Sequence, residues 1–232
     1  MAKNTKAAVS PARASIFNNM SVPEKGDGPK GALIRNRIIK VEGPVGQEMA
    51  NAVTAELLYL EAASPGTPIT MLINSGGGSV SDGWAIIDTM NSISSPVYTC
   101  ATGRASSMAA TILIAGTKGH RSVMPNARIM IHEPSTSGVN GQTEDVGISA
   151  YEIEATRERL LDFYSGRMRL SRKKLASLMV RDYFMYGTEA VKMGIVDHVV
   201  TFPDAKAAFN TAARKANLEH QAGRSKMRKP SP

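Results

Sequence analysis

Gly103-Arg104-Ala105-Ser106-Ser107-Met108-Ala109 joins a β-like run to a run of small apolar residues, with two hydroxyls at the join. Upstream, Pro96 to Thr102 (PVYTCAT) is rich in β-branched and aromatic residues and predicts a strand. Downstream, Met108 to Gly116 carries Ala109, Ala110, Ile112, Leu113 and Ile114 and predicts a helix buried against a core. Ser107 then stands at a strand-to-helix corner. The helix N-terminus there offers unpaired N–H groups and a partial positive charge to an oxyanion. The bland alternative is that Ser106 or Ser107 is only an N-cap.

A serine hydroxyl attacks only with a base and an orienting carboxylate in reach. Of four histidines, His132 closes the strand-like run Ala127 to Ile131 and precedes Glu133-Pro134, which turns the backbone at the sheet's edge. His120 lies in a Lys-Gly-His turn, His198 follows Asp197 in a late strand, and His220 sits in a polar tail. Asp182 follows a predicted helix, Ser171 to Val180, and precedes Tyr183-Phe184-Met185, an apolar wall expected to shield its carboxylate. Asp82, Asp88 and Asp197 compete with it, and spacing alone does not choose.

Interleaved strand and helix patterns over 232 residues, 42% hydrophobic, predict one α/β domain. The coarse reading gives helices at 48–62, 80–90, about 146–169, 171–180 and 188–193. Strands fall at 69–74, 127–132 and 196–199, beside the pair around Ser107. The long helix mixes Ile148, Tyr151, Leu160, Leu161 and Phe163 with Glu152, Glu154, Arg157 and Arg159, so it needs a partner surface.

The net charge of +8 sits at the two ends: residues 1–40 and 205–232 carry +6 each, which leaves −4 between them. Both ends are expected to be mobile basic segments, 1–32 and 205–232, around a domain at 33–204. The tail cations Arg224, Lys226, Arg228 and Lys229 have no interleaved aromatics, so no specific nucleic-acid site is expected. A single cysteine, Cys100, excludes an intrachain disulfide. No apolar run reaches membrane-spanning length, and neither a Walker phosphate loop nor metal-ligand spacing occurs. The acid-free first 20 residues are compatible with a transit peptide or a propeptide.

Seven motifs in order resemble the proteolytic subunit of the ATP-dependent Clp protease, a serine peptidase family of crotonase-like fold. They are RIIKVEGPV (37–45), LLYLEA (57–62), LINSGGG (72–78), GRASSMA (103–109), MIHEP (130–134), RDYFM (181–185) and EAVKMGIVD (189–197). The resemblance covers about Arg35 to Val200. It implies Ser107 as nucleophile, His132 as general base and acid, Asp182 as orienting carboxylate, and the N–H groups of Gly78 and Met108 as the oxyanion hole. It further implies a tetradecamer of two stacked heptameric rings, held by the long helix and the segment Ser137 to Asp145, with Gln142 and Arg181 at the ring contact. The implied setting is cytoplasmic, or an organelle matrix if residues 1–20 are a transit peptide. A separate AAA+ unfoldase would spend the ATP and feed unfolded chains into a closed chamber, with no cofactor or metal in this chain.

Two positions depart from the family pattern. The usual Ser-Pro-Gly-Gly appears as Ser75-Gly76-Gly77-Gly78, which predicts a looser oxyanion loop, and Val180 replaces an acidic residue that pairs across rings. They motivate one rival, a catalytically weak structural subunit of a mixed ring. A second rival is a crotonase-fold enzyme acting on coenzyme A thioesters, which shares the glycine loop and needs no triad.

Overall fold

The structure, a computed structural model, describes residues 28–201 except Ser137. Its frame is a seven-stranded sheet built from β-branched runs that alternate with apolar helices. Strands β1 (Ile38–Val45), β2 (Ile69–Gly78), β3 (Val97–Ser106), β4 (Arg121–Val123) and β7 (His198–Val199) lie side by side, all parallel. β3 changes partner along its length: Thr99 to Ala101 pair with β4, and Arg104 to Ser106 pair with β5 (Arg128–Ile131). β6 (Tyr183–Tyr186) joins β5 antiparallel. His132 therefore leaves the C-terminal end of a strand with partners on both sides, not one at the sheet's edge.

Helices α1 (Gly28–Arg35), α2 (Gln47–Ala63) and α3 (Val80–Ser92) precede α4 (Met108–Ala115), and every residue of α4 is buried. A helix apolar all round must be enclosed, as the sequence predicts. α5 (Thr143–Arg167) buries only Leu160, Leu161 and Tyr164, all in its second half. The Tyr164 hydroxyl meets the Thr111 hydroxyl at 2.7 Å and so ties α5 to α4; burial pushes its pKa up to about 12 and keeps it neutral. Short helices α6 (Arg172–Met179) and α7 (Gly187–Met193) complete the body. No described helix is long and apolar enough to cross a membrane.

Several expectations shift. The boundary expected after residue 32 falls inside α1, where Ala32 is buried, while 1–27 and 202–232 lie outside the described residues. α5 begins at Thr143, ahead of the expected start near 146, so Thr143 to Asp145 form its first turn, and Glu144 and Asp145 there complement the helix dipole. Strand β1 escapes the reading because Gly43 and Pro44 interrupt its pattern; its ladder to β2 is irregular between Glu42 and Pro44.

Candidate active site

β3 ends at Ser106, α4 begins at Met108, and Ser107 makes the corner with φ 55° and ψ −127°. A non-glycine residue in that region carries backbone strain that its surroundings must hold. Three backbone bonds do so: the Ser107 N–H donates to the Met130 carbonyl (2.9 Å), and the Ser107 carbonyl accepts from the N–H groups of Ala110 and Thr111. Ser107 occupies the N-cap position, yet its side chain makes no cap hydrogen bond. Its hydroxyl lies instead 2.8 Å from His132 Nε2. The side chain is therefore not spent on capping α4.

His132 Nδ1 lies 3.3 Å from Asp182 Oδ1. Three side chains far apart in the chain thus form a relay, with the Ser107 O–H able to donate to Nε2 while Nδ1–H faces the carboxylate. The backbone explains how His132 and Asp182 meet. The N–H of Glu133, next to His132, donates to the Met179 carbonyl at the end of α6 (2.8 Å), three residues before Asp182. The Glu133 carboxylate also accepts from Arg157 Nε of α5 at 2.6 Å. Sequence reading missed this brace, because MIHEP gives no sign of what its glutamate reaches.

The expected shield over Asp182 does not form. In β6 strand alternation buries Met185 and turns Phe184 and Tyr186 outward, and the Asp182 side chain stays 55% exposed. The competing carboxylates lie elsewhere. Asp197 accepts hydrogen bonds from Arg121 and the Gly119 N–H, while Asp82 and Asp88 belong to α3. Among the other histidines, His120 stacks on Tyr98 and His198 sits in β7, where burial lowers its pKa; His220 is outside the described residues.

The glycine run is the end of β2 and not a loop, and its alternation buries Ser75 and Gly77 while Gly76 and Gly78 face outward. A Cβ on Gly77 would lie 2.6 Å from Ser107 Cβ and 3.0 Å from the Met108 nitrogen, so only glycine lets this backbone close on the corner. Gly77 spends its own N–H on Ser75 Oγ (3.1 Å). The expected donors follow on: Gly78 is next in the chain, and the Met108 N–H, first in α4, has no intrahelical carbonyl to reach. Gly76 lies within β2 without a positive φ, but it has no register partner on either side, at the stretch where the ladder to β1 is irregular. Val180 caps α6 with 52% exposure, and among the described residues the Arg181 guanidinium reaches only the Val180 carbonyl. Gln142 holds the N-cap position of α5 and is exposed. Among the described residues no three His, Cys, Asp or Glu side chains gather as a metal site.

The family model for Clp protease matches residues 24–203. A protein of Deinococcus radiodurans named as an ATP-dependent Clp protease proteolytic subunit is 45% identical over 168 residues, covering 72% of this chain and 82% of the relative.

Proposed function

This chain belongs to the Clp protease family, of crotonase-like α/β fold, and on that premise we propose that Ser107, His132 and Asp182 carry its serine endopeptidase activity. Ser107 Oγ attacks the scissile carbonyl while His132 Nε2 takes its proton. His132 then returns a proton to the leaving amine, and water hydrolyses the acyl-enzyme by the same route in reverse. Asp182 fixes the imidazole tautomer and stabilises its cation. The N–H groups of Gly78 and Met108 hold the oxyanion. The observation that supports this reading most is the 2.8 Å approach of an uncapping Ser107 hydroxyl to His132. The thioester alternative is not favoured by a relative named as a proteolytic subunit. Labelling of the full chain by a fluorophosphonate probe, mapped to Ser107, is the expected result, and an unlabelled Ser107 in an ordered particle overturns the assignment.

The proposed reading extends to assembly. Val146, Ile148 and Tyr151 lie exposed on the first half of α5 and would be covered in stacked heptameric rings. A separate AAA+ unfoldase would spend the ATP and deliver unfolded chains, in the cytoplasm, with no cofactor bound here. Native mass measurement should give a particle of many subunits that Ile148→Asp breaks down. A monomer in the unsubstituted chain would refute this. For the oxyanion hole, a Cβ on Gly78 would stand 2.2 Å from the Val45 carbonyl oxygen. Gly78→Ala should therefore cost about 3 kcal/mol of transition-state stabilisation, read as kcat against a fluorogenic peptide.

A further inference from the structure

The family's proline is missing at residue 76, and the space is filled: a Cβ there would lie 3.2 Å from Arg104 Nη2 and 3.3 Å from its Cζ. Arg104 lays its guanidinium over the bare backbone of Gly76, one residue before the glycine that abuts Ser107. Gly76, Gly78 and Arg104 all face the open side of the sheet. Arg104 is also in register with Arg128 of β5, itself in register with Tyr186, and all three are exposed. Arg128 rests on the Phe184 ring at 4.6 Å. Neither guanidinium has a carboxylate within ion-pair distance among the described residues. Like charges side by side on neighbouring strands repel unless an anion comes between them.

We propose that Arg104, with Arg128 beside it, is a carboxylate-binding subsite that gives this peptidase a preference for acidic residues near the scissile bond. The inference rests on the peptidase reading above. An extended substrate advances about 3.3 Å per residue, so a guanidinium on Gly76 meets a side chain within about three residues of the carbonyl that Ser107 attacks. Planar, two-pronged donation suits a substrate Asp or Glu. Gly76 thus serves selectivity, by making room for a cation.

The test uses the full chain and fluorogenic peptides that differ only in Asp against Asn, placed in turn at each position within about three residues of the cleaved bond. At one position or more, kcat/KM should favour Asp by about fivefold, and the ratio should shrink as salt rises. Arg104→Gln should bring that ratio to one, and Arg104→Glu should turn the preference toward Lys. Gly76→Ala, which pushes the guanidinium aside without removing its charge, should weaken it. Ratios near one in the unsubstituted chain, or ratios that Arg104→Gln leaves unchanged, overturn the subsite while Ser107-dependent cleavage stands. Absence of any Ser107-dependent cleavage sinks the peptidase reading itself, and the subsite with it.

Discussion

Ser107→Ala is expected to lower kcat/KM on an unstructured peptide by about 10⁴-fold or more, with little change in the thermal transition. Among the described residues the hydroxyl's hydrogen-bond partner is His132, so its removal leaves no buried donor stranded. Alanine inherits the same strained backbone, φ 55°, held by the same bonds to Met130, Ala110 and Thr111. Stability and chemistry therefore separate at this position. Asp182→Asn should cost about 10⁴-fold, because an amide no longer favours the tautomer that leaves Nε2 free to take the proton. The double variant should be little worse than Ser107→Ala alone, since the groups act as a unit. If Ser107→Ala retained more than a tenth of the peptidase activity, another nucleophile would be at work.

The exposure of Asp182 has a further consequence. At 3.3 Å and more than half exposed, its contact with His132 is the looser of the two links in the relay. The side chain is positioned less by packing of its own than by the Glu133 N–H to Met179 carbonyl bond and the Arg157 brace, which bring the end of β5 to the end of α6. Those links reach α5, whose exposed apolar face is where partner subunits are proposed to bind. Geometry at the carboxylate is thus mechanically continuous with the proposed assembly surface.

The corner at Ser107 was legible because its signals are local: a β-branched run, a hydroxyl, then an apolar helix with no polar face. His132 was legible in the same way, as the end of a short apolar strand. What escaped the reading depends on partners remote in sequence. β4 is only Arg-Ser-Val, and its buried arginine makes sense only beside Asp197, 76 residues on. Tyr183-Phe184-Met185 reads as an apolar wall, but pairing with β5 makes it a strand and turns Phe184 outward. Gly76 reads as lost rigidity in one dimension, and only the packed sheet reveals the guanidinium occupying the place of a side chain.

Asp197→Ala should destabilise the fold by about 3–5 kcal/mol without touching the relay at Ser107. Arg121 is almost fully buried, and Asp197 accepts from its N–H, Nε and Nη2, the last at 2.7 Å, as well as from the Gly119 N–H. Removing the carboxylate strands a buried guanidinium, with its link to the Arg167 carbonyl left as partial compensation. At fixed protein concentration the midpoint should fall by about 10 °C. Replacing the pair together, Arg121→Met with Asp197→Leu, should recover most of the loss. Acid supplies an independent check. Burial pushes the Asp197 carboxyl upward, but the hydrogen bonds from Arg121 and Gly119 outweigh it and leave the pKa below the ordinary 3.8. A group depressed on folding stabilises above its unfolded pKa and loses that contribution as pH falls through the folded one. The gap between the unsubstituted chain and Asp197→Ala should therefore hold constant from neutrality down to about pH 4 and close below it. Glu61, held at about 2 by hydrogen bonds from Ser94, its hydroxyl foremost, and from Ser95, titrates in the same acid range, but it is common to both chains and cancels in the difference. A gap that stayed constant to pH 2 would mean that the carboxylate contributes through packing and not through its charge.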